Sequence, residues 1–199
     1  MVADTAIQRL RDALKRLPGV GPKSAQRMAF HLLERDREGA GLIAEALSAA
    51  LNAVSHCRRC NNFSESEVCD ICANPKRDQA LLCVVETPAD LESIENASAF
   101  RGVYFVLMGH LAPLDGIGPD QLSIDKLRDV VKERQIEELV LATNLTVEGQ
   151  ATADFIGSVF ENEAVRLSRL ARGVPVGGEL EYLDPGTLNQ AFDERRPLR

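Results

Sequence analysis

Four of the five cysteines in this chain fall into two Cys-x-x-Cys pairs, Cys57 with Cys60 and Cys69 with Cys72, separated by eight residues. No other feature limits the fold as tightly. Each pair can close a tight knuckle presenting two thiolates, and two knuckles complete a tetrahedron around one zinc ion. Four sulfur ligands leave no open position for water, so such a site is structural and not catalytic. The enclosed segment is too small for a core of its own, and metal binding would supply its folding energy. A disulfide or a redox Cys-x-x-Cys is the alternative, and the doubled motif disfavours both. Met1-Val2-Ala3-Asp4 has no basic stretch leading into an apolar run. No segment approaches the roughly 18 apolar residues of a membrane span, so a cytoplasmic location is expected. His56 reads as a bystander to the cluster, Cys83 as filler within an apolar strand, and Arg58 and Arg59 as basic residues between the ligands.

Upstream of the cysteines the pattern is helical. Ile7, Leu10, Leu14 and Leu17 recur at helical spacing and predict a helix over 4–17. Pro18-Gly-Val-Gly-Pro22 breaks it, and a second helix starts at Pro22, where a missing amide costs little. A third, rich in Ala and Leu, is expected over about 39–54. Gly19 and Gly21 let the connection turn tightly and bring backbone amides close to a ligand. Those amides lie at the N-terminus of the next helix, whose dipole favours an anion. Lys23 and Arg27 are four apart and share one helical face. Gly19, Gly21, Lys23 and Arg27 are therefore the expected DNA-binding residues, a phosphate clamp that ignores base identity. A plain glycine-capped corner is the simpler alternative. A nucleotide P-loop requires Gly-x-x-x-x-Gly-Lys-Ser/Thr after a strand, whereas here Pro22 precedes Lys23 and a helix precedes the loop.

Charge agrees with that placement. The net charge is −7, but residues 1–60 carry ten Lys/Arg against six Asp/Glu, and residues 61–199 carry thirteen against twenty-four. Nucleic acid is expected at the basic end, and a basic protein partner suits the acidic remainder.

From about residue 80 strands and helices alternate. Strands are predicted at 81–85, 103–108, 138–142 and 164–170, with helices at 88–96, 124–134 and 149–162. The alternation implies a parallel sheet covered by helices. Glu86 follows the first strand, at the carboxyl end where open parallel sheets bind ligands. Asp90 lies one helical turn on. Helix N-terminal charge stabilisation explains both carboxylates simply. A docking surface for a basic partner is the functional reading. The tail from 173 is rich in Gly and Pro and ends Arg195-Arg-Pro-Leu-Arg199, where fraying is expected.

Residues 81–170 resemble a Toprim domain, the module of topoisomerases, primases and some nucleases. Active members pair the glutamate with an Asp-x-Asp after the third strand, and these carboxylates bind magnesium. This chain has Ala142-Thr-Asn-Leu-Thr146 there, so no enzyme activity is expected. Nearly the whole sequence is similar to the RecR recombination mediator family. The resemblance rests on Leu17-Pro-Gly-Val-Gly-Pro-Lys-Ser-Ala-Gln-Arg27, the four cysteines, Val84-Val-Glu86, Leu114-Asp-Gly-Ile-Gly-Pro119, Ala142-Thr-Asn144, Glu148-Gly149 and Gly173-Val-Pro-Val-Gly-Gly178. Met108 and Phe105 depart from it, standing where glycine and histidine are commoner, which bears on packing.

The resemblance implies four modules of mixed α+β and α/β class. These are a helix–hairpin–helix region at 1–54, a four-cysteine zinc finger at 55–78 with one structural Zn2+, a Toprim domain at 79–172 and an assembly segment at 173–199. The last contains Leu180-Glu-Tyr-Leu-Asp184, described in the family as Walker-B-like, here without a Walker A partner. It further implies a non-catalytic protein that acts with RecO and RecF to load RecA onto gapped single-stranded DNA. Members assemble as dimers and ring-like tetramers able to encircle DNA. RecO is the basic partner expected at Glu86 and Asp90.

Overall fold

Thr5 accepts the Gln8 amide at 3.3 Å and so starts α1 (Ala6–Leu14). α1 stops three residues short of Leu17, because Pro18 disfavours helical backbone in the residue before it. Pro18 and Gly19 then form the two central residues of a tight turn, closed by Val20 N donating to Leu17 O at 3.1 Å. Gly19 has φ +75°, the left-handed conformation that this turn type demands at its third position. Gly21 caps α2 (Pro22–Glu34), with Pro22 at its first position. Asp36 accepts the Gly39 amide at 2.8 Å and opens α3 (Arg37–Ala53). α2 buries Ala25 and Ala29, small residues four apart that let a neighbouring helix approach closely.

The computed structural model describes residues 5–97, 100–171 and 173–195. It divides into two units, the helices of Met1–Val54 and everything from Ser55 onward. The second unit begins with a two-stranded antiparallel hairpin, β1 (Ser55–His56) and β2 (Phe63–Ser64), followed by the single turn α4 (Asp70–Ala73). It continues through β3 (Leu81–Val85), α5 (Pro88–Asn96), β4 (Val103–Val106), α6 (Ile124–Arg134), β5 (Glu138–Leu141), α7 (Val147–Val159) and β6 (Arg166–Arg169). These four strands form one parallel sheet in the order β4-β3-β5-β6.

Side-chain alternation along the strands builds two cores. Leu82, Val84, Val103, Phe105 and Leu107 face α6 and α7, where they meet Leu127, Val131, Ile156 and Phe160. Cys83, Val85, Tyr104 and Val106 face the other way, against Leu91 and Ile94 of α5 and Ile71 of α4. Strands buried on both faces read as continuous apolar runs, which is why β3 and β4 are so visible in the sequence. The tail is more ordered than its composition suggests. Asp184 accepts the Thr187 amide at 3.0 Å and caps α8 (Pro185–Asp193). The fraying expected at the end lies outside the described residues from 196 on.

Met108 follows β4 with φ +64°, a conformation that a side chain bearing a Cβ adopts at a cost. The cost of a side chain here is therefore one of backbone geometry as well as packing. Replacing Met108 by Ile keeps the apolar character but adds β-branching, and stability should fall by about 1–2 kcal/mol. Met108→Gly, although it removes more apolar surface, should cost less. Denaturant melts of the two variants check the ranking.

Candidate functional site

The four cysteine sulfurs converge, each lying within 4.8 Å of the others. Cys57, Cys60 and Cys72 are at most 1% exposed, and none of the four is in a disulfide. The first knuckle closes because Asn61 takes φ +61°, which lets its amide donate to Cys57 O at 3.0 Å. Cys69 N donates to Cys57 Sγ at 3.3 Å, which joins the two knuckles. Cys60 and Cys69 sulfurs are 3.5 Å apart. Their shared hydrogen bond pushes the Cys60 thiol up and holds Cys69 down in the thiolate range. An all-sulfur, buried, four-ligand set fits a structural zinc ion, which when bound cross-links the two knuckles. His56 Nδ1 is 2.9 Å from Asn61 O and is not part of this cluster.

In the hairpin, Lys23 and Arg27 lie one turn apart on α2, both exposed. Neither makes an ion pair among the described residues. No side chain caps α2, so its first-turn amides keep their donors for an outside acceptor. Lys23, Gln26, Arg27, Phe30, His31, Glu34 and Arg35 line an open groove of about 460 Å³ along this helix. Two free cations beside an uncapped helix start are suited to phosphate oxygens.

The third candidate lies at the carboxyl ends of β3 and β5. β3 leads into α5 on one face of the sheet and β5 into α7 on the other, so the crevice between them is the topological switch point. Glu86 occupies it, 2% exposed. Asn144 N donates to its Oε1 at 2.7 Å and Asn144 Nδ2 to its Oε2 at 2.8 Å. His110 Nδ1 lies 3.2 Å from Oε2. Asp90 uses Oδ2 on its own helix, accepting from Thr87 N at 2.9 Å and Thr87 Oγ1 at 2.7 Å in a capping box. The inward roles of Glu86 and Asp90 are thus loop pinning and helix capping. Gly149 is part of the same packing, because a Cβ there would stand 2.2 Å from Asn144 O and 2.7 Å from Glu86 Oε1. Gly149→Ala should therefore lower stability by about 2–4 kcal/mol, since backbone must move to admit it. A thermal melt beside Gly157→Ala, where added bulk meets nothing within 4 Å, checks this.

Comparison with family models covers the chain in four consecutive segments. The RecR helix-hairpin-helix model matches residues 7–51, and the RecR four-cysteine zinc finger model matches 54–74. A Toprim domain model matches 80–171, and the RecR C-terminal model matches 173–196. The chain belongs to the RecR family. The three RecR segments and the Toprim segment span the elements described above, and the four-cysteine segment carries one structural Zn2+. Three stretches that resemble the family in sequence, ending at Glu86, Asn144 and Gly149, meet at one point in space. Sequence reasoning missed their partner His110, because nothing local marks a contact between residues 24 positions apart. It also missed Asn61 and Lys126, whose contacts bind the finger to β4 and to α6. The positive φ of Asn61 had one faint signal, since asparagine tolerates that conformation better than most residues.

Proposed function

We propose that this RecR-family chain is a DNA-binding recombination mediator that acts with RecO and RecF to load RecA on gapped single-stranded DNA. The family itself implies recombinational DNA repair. The observation that carries the DNA contact is the pair of unpaired cations, Lys23 and Arg27, beside the uncapped start of α2. Gly19 and Gly21 serve it by setting the turn and the cap. The test is fluorescence anisotropy on gapped DNA, comparing wild type with Lys23→Glu, Arg27→Glu. Equal binding by the two proteins, with fold and zinc retained, would move the DNA face elsewhere.

A clamp made of two to four copies follows from the same reading. One copy offers few phosphate contacts, and several copies facing inward multiply them. α3 buries none of its residues within the described chain, and Leu42, Ile43, Leu47 and Leu51 are 59–76% exposed. That stripe supports self-assembly. Sedimentation that finds only monomer, with and without DNA, removes the clamp. Leu180 and Tyr182, both exposed, support an assembly role for the tail, where Asp184 serves as a helix cap.

Catalysis is not part of this reading. Asn144 and Thr146 offer no charge beside Glu86, whose oxygens already accept from Asn144. Hard divalent cations want several charged oxygens. Supercoiled plasmid incubated with magnesium and the protein should stay intact. RecO is the proposed partner at the Asp90 end of the sheet. Glu86, being buried, would act there by holding the Asn144 loop. Normal RecO capture by Glu86→Lys, Asp90→Lys protein would sink that assignment.

A further inference from the structure

The metal centre is not a self-contained module. Lys126, on α6 of the Toprim domain, directs its ammonium into the finger, 3.0 Å from Asn61 Oδ1 and 3.4 Å from Cys57 O. On the other knuckle Arg59 donates from Nη1 to Cys72 O at 3.0 Å. These are the cationic side chains hydrogen-bonded to ligand-cysteine backbone among the described residues. Four thiolates around a doubly positive ion leave two negative charges in a site where three ligands are at most 1% exposed. Buried charge needs compensation that water cannot supply there. Lys126 and Arg59 place one positive charge on each knuckle.

Asn61 connects this to the sheet. β4 is an edge strand, and an uncovered edge presents unpaired backbone groups. The first knuckle covers it: Val106 N donates to Cys60 O at 2.8 Å, and Asn61 Nδ2 donates to Val106 O at 2.8 Å. The same Nδ2 is 3.1 Å from Ser123 Oγ, at the cap of α6. One residue of the ligand loop, 6% exposed, thus reaches the sheet edge and the helix that carries Lys126.

We propose that Lys126 and Asn61 form an outer shell of the zinc site that makes metal retention and closure of the β4 edge a single event, with Lys126 as a counter-cation supplied by the Toprim domain. Outer-shell partners orient metal ligands, and their loss typically weakens metal binding about 10- to 100-fold. The charge role separates Lys126 from ordinary packing: arginine should serve in its place, and methionine, similar in length, should not.

The test uses full-length zinc-loaded protein in competition with a chromogenic chelator, on wild type, Lys126→Met, Lys126→Arg and Asn61→Gly. Glycine at 61 accepts the positive φ and deletes only the side-chain bonds. Lys126→Met and Asn61→Gly are expected to bind zinc about 10- to 100-fold more weakly, and Lys126→Arg within a few-fold of wild type. Amide exchange is the second reading. Val106 should lose protection when wild type is stripped of zinc, and in zinc-loaded Asn61→Gly, while Leu139 and Leu141 in β5 keep theirs. Zinc affinity unchanged in both Lys126→Met and Asn61→Gly overturns the proposal, as does Val106 protection that survives zinc removal. Lys126→Arg as weak as Lys126→Met overturns the counter-cation role.

Discussion

Cys60→Ser protein should bind no stoichiometric zinc and lose the folded finger, while Cys83→Ala protein should keep one zinc per chain. Both residues are buried cysteines, 1% and 2% exposed, so burial alone does not separate them. Position does. Cys60 belongs to the converged sulfur set and its carbonyl holds the β4 edge through Val106. Cys83 lies in β3, packed among Val85, Leu91 and Tyr104, and burial pushes its thiol up to about 12, away from the reactive thiolate. The finger between residues 55 and 74 has an internal apolar cluster of only the cysteines and Val68, while its Ile71 packs on the sheet. Most of its folding free energy therefore comes from the metal, on the order of 10 kcal/mol or more for such sites at neutral pH. Metal content by atomic absorption, with circular dichroism of the same samples, reads both halves of the expectation. Stoichiometric zinc in Cys60→Ser would contradict it.

Lys23→Glu, Arg27→Glu protein should bind gapped DNA on the order of 100-fold more weakly than wild type at about 50–100 mM salt, with zinc content and melting temperature unchanged. Two attractive contacts become repulsive in every copy, and in an assembled clamp that change is repeated in each subunit. The rest of the chain cannot compensate by net charge, since residues 61–199 are acidic. Both side chains are exposed and pair with no acid among the described residues, so their reversal breaks no bond there. The fold should be indifferent to the substitution while DNA is not.

Much of this architecture is written in short-range pattern. The cysteine spacing is the clearest case, because ligand geometry ties residues three apart to one ion. β3, α5 and α6 stand over 81–85, 88–96 and 124–134, where the sequence pattern placed them. The elements that escaped are short or irregular. β1 and β2 have two residues each, too few for any periodicity. α8 lay in a segment read only as rich in Gly and Pro, yet Asp184-Pro185 is a helix-start signal of the same kind as Thr87-Pro88. Met108 shows a further limit. A sequence names the residue but not its φ, and the cost of that backbone was visible only in three dimensions.

The site was less legible than the fold. Glu86 was placed correctly at a strand end, but its burial under His110 and its two bonds from Asn144 depend on residues 24 and 58 positions away. A carboxylate at the mouth of a parallel sheet suggests an outward ligand. Here the ligand groups are the chain's own amides, and the crevice is filled from within.

The hairpin of this RecR-family chain is proposed to grip DNA through phosphate. Its most direct test is the slope of log affinity against log salt for gapped DNA, measured by anisotropy on wild type and on Lys23→Glu, Arg27→Glu protein. Each lost phosphate contact reduces the slope by about 0.7–0.9. A steep slope is expected for wild type and a much flatter one for the variant. Equal slopes, with both proteins folded and zinc-loaded, would contradict it.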